Sequence, residues 1–302
     1  MAAALSEVKS SNVVLKGLSA DYLVENTLFS ENTLDNVNIG RREFLATSAV
    51  AGTGLIAGCG SQIEASPGEN SDKDVPAPSV DIPDGWEVTT PNSKPIVFVE
   101  GKDLGVSWTA VGHTKLYENK KLRERIKQET FGKIDQTLMV AFASRIDFFS
   151  SIAHLGTSFQ QETINSEVRS QMRDRMTEFG LTEVTYKGEV QREEETNPSK
   201  FHKWTAYYPV DEIPVNDVDI PNVEKDSFTI GGKNLKIGGL AGVWKEGKSL
   251  LAAGGVYPAD YYNERQEWDV SGAIHLSLDI EMGFQPTNYN HQIKSIMDSV
   301  DP

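Results

Sequence analysis

Apolar and polar positions between residues 96 and 208 fall into short runs of two kinds. Residues 96–99, 104–116, 138–149, 183–191 and 201–208 are rich in β-branched and aromatic side chains, and they predict strands. Two segments between them carry helical spacing instead. In 119–131, Leu122, Ile126 and Phe131 fall on one stripe. In 164–179, Ile164, Val168, Met172, Met176 and Phe179 recur at steps of four, four, four and three, the repeat of an amphipathic helix. Gly180 stands where a left-handed residue would stop that helix. A Pro- and Asp-rich loop is expected over 209–226, and 235–257 predicts a hairpin. With Glu246-Gly247 as a two-residue turn, Trp244 pairs with Ser249, Val243 with Leu250 and Ala241 with Ala252, and Gly239 opposes Gly254. Residues 290–300 close the pattern as a short helix showing Ile293, Ile296, Met297 and Val300. Strands in runs, few helices and an antiparallel hairpin together predict an α+β fold, an antiparallel sheet with helices packed on it.

The chain ahead of this domain is patterned differently. Residues 60–84 are dominated by Ser, Glu, Asp, Asn, Gly and Pro, with prolines at 67, 76, 78 and 83. Such a composition predicts an extended, flexible tether. Before it, Arg41-Arg42 is followed by a weakly apolar segment, 44–58, that is too short to span a bilayer. The segment opens on Phe44-Leu45 and ends in Leu55-Ile56-Ala57-Gly58-Cys59. It resembles a twin-arginine (Tat) export signal closed by a lipobox, and the resemblance implies a lipid attached to the thiol of Cys59. The Tat translocase would carry the folded chain across, and the lipid would hold it on the outer face of the cytoplasmic membrane. The competing view is a chance Arg-Arg pair ahead of a buried, alanine-rich helix. Residues 1–38 are polar and precede the arginines by more than a signal normally allows, so translation is expected to start close to Val37. A true N-terminal extension is the alternative. The expected organisation is therefore 1–38 extension, 39–59 signal and lipobox, 60–84 tether, and 85–302 a single exported domain.

Composition adds three points. The 302 residues carry a net charge of −15, which argues against nucleic acid, because phosphate binding needs a basic footprint. The same acidity would keep a surface hydrated in strong salt, and an ordinary acidic protein fits it as well. Cys59 is the sole cysteine, so neither an internal disulfide nor a cysteine-rich metal site can form.

The order of a Gly85-Trp86 strand start, a helix, a long meander and a closing helix resembles, weakly, the PsbP and Mog1 type of α/β sandwich. With its signal, its acidity and the strand pair running from Trp244 to Pro258, the whole chain resembles uncharacterised lipoproteins that haloarchaea export by the twin-arginine route. Neither resemblance implies an activity.

Candidate chemistry is sparse. His113, His154, His202, His275 and His291 are far apart, and none stands at metal-ligand spacing to another. There is no Gly-x-Ser-x-Gly elbow, and the glycines of 231–255 match no phosphate- or dinucleotide-binding pattern. Neither metal nor cofactor is expected, and no catalytic residue is assigned. The acids Glu193, Glu194 and Glu195 form a charge run of the kind usually found in solvated turns. Two features stand out slightly. Aromatics crowd 204–268 (Trp204, Tyr207, Tyr208, Trp244, Tyr257, Tyr261, Tyr262, Trp268), and Trp204, Trp244 and Tyr257 are candidates for an apolar binding platform. Strands favour aromatics anyway, so packed core is the competing reading. Lys115, Lys120, Lys121, Arg123, Arg125, Lys127 and Lys133 make a basic cluster that would suit anionic headgroups or, more simply, a solvated helix face laced by Lys120–Glu124 and Arg125–Glu129 contacts. A non-catalytic binding or interaction module is the expected function. A surface-anchored hydrolase is the alternative, and a cleft gathering acids or histidines would mark it.

Overall fold

The computed structural model describes residues 14–16, 70–103, 106–130, 132, 134–150, 157–192, 196–215, 228–271 and 274–302. Eight strands form the main sheet: β2 (Trp86–Val88), β3 (Ile96–Asp103), β4 (Val106–Asn119), β5 (Val140–Ser150), β6 (Thr182–Gln191), β7 (Lys200–Pro209), β10 (Asn234–Glu246) and β11 (Ser249–Pro258). Their order is β2-β4-β5-β11-β10-β7-β6, with β3 also paired to β4. Every pairing in this sheet is antiparallel. Two small sheets stand apart: β1 (Val14–Lys16) with β13 (Ile274–Glu281) and β12 (Asn263–Ser271), and β8 (Ile213–Val215) with β9 (Phe228–Ile230). The helices are α1 (Lys120–Glu129), α2 (Thr157–Glu178) and α3 (Pro286–Asp298). The fold is α+β with a mainly antiparallel sheet, as the strand runs predict.

The helices α2 and α3 cover opposite faces of this sheet. Gly239 pairs with Val256 and lies under Met172 and Met176 of α2, whereas Gly255 pairs with Leu240 and lies under Ile293 of α3. Residues paired directly across an antiparallel ladder share a face, and the next pair along faces the other way. Each face thus meets its helix through a residue without a side chain, where the helix can come close. The stripe Ile164, Val168, Met172 and Met176 is buried on one side, and Ile293, Ile296 and Met297 on the other. Asn119 caps α1, its side chain accepting a 2.9 Å bond from the Leu122 amide, and Leu122 and Ile126 are buried.

Several expectations need correction. The turn of the β10–β11 hairpin is Gly247-Lys248, not Glu246-Gly247, so Trp244 pairs with Leu251, Val243 with Ala252 and Ala241 with Gly254. Gly247 has φ +59°, and placing it first in the turn spares Glu246 a left-handed conformation. The shift keeps every residue on its expected face, because the side-chain period is two. Helix α2 starts at Thr157 rather than Ile164, and part of the expected 209–226 loop is β8. The β12–β13 hairpin has no counterpart in the pattern reading.

The folded domain also starts before Gly85. Residues 70–84, assigned by composition to the tether, lie against the domain. Asn70 bridges Ile96 and Ser79 bridges Asp301. Val75 is buried, and its carbonyl lies 2.8 Å from Nδ1 of His113. The other ring nitrogen of His113 is 2.9 Å from the Ser93 carbonyl, so one side chain of β4 meets both the 70–84 strap and the loop between β2 and β3. A few well-placed apolar residues outweigh a polar average.

Candidate functional site

Helix α2 packs mainly along β10 and β6, and its Phe159 ring meets Trp108 of β4 edge-on at 5.7 Å. Beneath its flank, over β3, β4, β5 and β11, lies a cavity of about 570 Å³. That volume lies inside the usual range for small-ligand sites, roughly 300–1,000 Å³. Ile96, Phe98, Leu116, Val140, Phe142 and Val256 come from the strands, and Val168, Met172, Met176 and Phe179 from the helix and its end. These are residues of the stripe and of alternate strand positions, so the periodicities that build the core also line the cavity. Gly180 ends α2 with φ +80° and lets the chain turn so that Leu181 closes one wall.

Polar groups sit at two levels. Thr114 and Ser144, opposite each other on β4 and β5, share a hydroxyl hydrogen bond of 2.7 Å. The exposed Asn70, Asn92 and Lys94 line the open side, with Gln171 and Arg175 on the helix flank. Gln171 donates a 2.8 Å bond to Glu167, whose carboxyl burial pushes above the usual range. Lys94 and Arg175 are the charged residues of the lining, and no acid, histidine or cysteine stands among the described residues that form it. This arrangement can hold an apolar body and meet a polar end. It offers no nucleophile–base pair.

A second cleft, about 350 Å³ and polar, lies on the outer flank of α2 and includes Glu162, Arg169, Glu189 and His202. His202 is buried and bonds Tyr186 Oη through Nδ1 at 2.9 Å. Burial, reinforced by the Arg169 cation, holds its pKa below the ordinary imidazole value, with Glu189 opposing. A histidine with a depressed folded-state pKa binds its proton more readily when unfolded. Its contribution to stability is therefore complete above about pH 6.5 and lost as the pH falls through the folded value. Thermal melts across this window should show stability falling with acidification, and His202→Gln should flatten that slope. An unchanged slope would mean that another group carries it.

The sequence candidates fall as follows. Trp204, Trp244 and Tyr257 are 1%, 5% and 5% exposed. Trp204 pairs with Gly239 on the α2 face, while Trp244 and Tyr257 lie on the α3 face, where Asn290 donates to Tyr257 Oη. Strand alternation sends these rings into two separate halves of the core rather than to one exposed face. Among the described residues Tyr186 and Tyr261 are the exposed tyrosines, and the Trp268 side chain lies outside them. Four of the basic cluster's residues engage nearby partners, and Glu124 adds to the field of Glu87 at Lys120, as the i,i+4 spacing predicts. Lys120 pairs with Glu87 at 3.1 Å, Arg123 with Glu118 at 3.0 Å and Asp135 at 2.8 Å, and Lys127 with Asp135 at 3.3 Å. Arg125 donates to the Gly283 carbonyl at 2.9 Å. Phe131, Lys133, His154 and Glu193–Glu195 lie outside the described residues, as do Arg41, Arg42, Phe44, Leu45 and the lipobox from Leu55 to Cys59.

Pattern reading missed Thr114 and Ser144, although both interrupt an apolar strand face. It also missed Lys94 and Arg175, which look like ordinary solvated cations. Among the described residues no helix is long and apolar enough to cross a membrane, and no group of three metal-capable side chains stands together. A family model described as "Domain of unknown function (DUF6517)" matches residues 73–301. No curated protein matches the chain, and no solved structure does.

Proposed function

The chain belongs to the DUF6517 family, and on that premise we propose that it is a lipid-anchored, extracytoplasmic binding module holding a small, largely apolar ligand between α2 and the sheet. The observation that carries this is the cavity, whose lining is apolar with a few hydroxyls, amides and cations. In this reading Arg41 and Arg42 address the chain to the Tat route, Cys59 carries the lipid, and the domain works on the outer face of the cytoplasmic membrane.

The alternative, a surface hydrolase, would use the second cleft, which gathers Glu162, Glu189 and His202 as that reading requires. There Nδ1 of His202 is occupied by Tyr186, and Glu189 pairs with Lys200 at 2.9 Å.

One experiment tests both halves of the proposal. Cells producing the wild type or Cys59→Ser are fractionated, and the recovered protein is titrated with an uncharged naphthylamine fluorophore. The wild type should be found with membranes and the variant free of them. Both should bind the fluorophore at one saturable site, and Ser144→Phe, which fills the floor, should abolish that binding while melting cooperatively. Absence of peptides from Ala2 to Asn36 in the same extract would support the start near Val37. Wild-type protein free of membranes would overturn the anchor, and the lack of a saturable site would overturn the binding module.

A further inference from the structure

Building on that reading, we infer that the ligand is a single-chain amphiphile with an anionic head, drawn from the membrane surface to which the protein is tied. Three observations converge on this class.

The interior of the cavity makes little polar demand. Phe98, Leu116, Val140 and Phe142 face Met172 across it, and the Thr114 and Ser144 hydroxyls bond to each other. A ligand placing a polar group deep inside would strip its hydration there for few partners, which is costly. An alkyl or prenyl chain loses nothing by entering.

The rim is different. The charged lining residues Lys94 and Arg175 are both cations, in a chain whose net charge is −15. Arg175 engages Glu178 through Nη1 at 2.7 Å, and a guanidinium carries five N–H donors in a planar fork. Arg175 can therefore keep that pair and still present donors to a carboxylate or phosphate. A long-range field unfavourable to anions makes this local pair a selective feature, because a head group gains at the rim what it does not gain elsewhere on the surface.

The third observation is one of reach. Asn70 lines the open side of the cavity, eleven residues after Cys59 (70 − 59 = 11). Even fully extended, that length spans at most about 40 Å. With Cys59 lipidated, the open side is thus held close to the bilayer surface, where single-chain amphiphiles concentrate.

The test uses the full chain and competition against the bound fluorophore, with straight-chain carboxylates of increasing length, the matching alcohols and matching alkyl phosphates. Affinity should rise about four-fold per added methylene until the cavity is full and then level off. Carboxylates and phosphates should exceed alcohols of equal length by up to about five-fold, and strong salt should erase that margin. The double substitution Lys94→Gln and Arg175→Gln should remove the margin and leave alcohol binding intact. Equal or tighter binding of alcohols would overturn the anionic head while sparing the cavity as a binding site. If no chain displaces the fluorophore, the ligand class is overturned, and if the fluorophore itself does not bind, the binding-module reading falls with it. Capture by anionic vesicles that persists unchanged in Ser144→Phe, without displacement by free chains, would overturn uptake in favour of surface docking.

Discussion

Gly255→Ala is expected to cost about 3 kcal/mol or more, beyond the usual range for overpacking a core. The position lies within β11, paired to Leu240 on one side and Ala141 on the other, and covered by α3. A Cβ there would stand 2.4 Å from the Val140 carbonyl oxygen, 3.1 Å from Ala141 Cα and 2.7 Å from Ile293 Cδ1. Ile293 can change rotamer, but the first two atoms are backbone of a hydrogen-bonded neighbour and cannot yield without breaking the ladder. Urea unfolding followed by circular dichroism checks this directly. A loss below about 0.5 kcal/mol, the scale of an ordinary surface change, would mean that α3 and β5 are seated differently from the arrangement described. Valine at the same position should leave no cooperative transition.

Trp204→Ala should cost about 3–5 kcal/mol, as large-to-small core changes of tryptophan do. Trp204 is 1% exposed, its ring centroid 5.5 Å from that of Tyr186 and 6.0 Å from that of His202, and it does not line the cavity. The loss should therefore appear as stability and not as affinity. Trp204→Phe should retain most of the stability and bind the fluorophore as the wild type does. Had Trp204 belonged to an exposed platform, the alanine variant would melt normally and lose ligand. That outcome would contradict the fold at its centre, so the two readouts separate the alternatives cleanly.

What the residues disclose in one dimension, and what they do not, follows from range. The α2 stripe is visible because a repeat of 3.6 is local. So are the strands, and so are the two faces of the β10–β11 hairpin, whose parity survived an error in the turn. The order of strands is not visible, since β5 lies beside β11 more than a hundred residues away, and no local pattern names that partner. The cavity is less visible still. It is enclosed between α2 and strands far apart in the chain, and each of its apolar residues taken singly reads as ordinary core. The polar signals, Thr114 and Ser144, gain meaning only once β4 and β5 are known to be neighbours. Composition misled at 70–84, because Val75 and the two bridging segments dock through one buried side chain and a few backbone hydrogen bonds, which an average over the stretch conceals.

The bridge between Ser79 and Asp301 sets how the domain would respond to tension. The two residues exchange backbone hydrogen bonds of 3.0 Å in each direction, and Ser299 Oγ adds a bond to the Asp81 carbonyl at 3.1 Å. Strap and C-terminal segment run antiparallel here, so opposed pulls on the strap just before Ser79 and on residue 302 would open the pair from its end, one bond after the next, instead of shearing it all at once. The Asn70–Ile96 bridge and the His113 contact to the Val75 carbonyl lie further toward the N-terminus, so tension from that side would reach this latch only after passing through them.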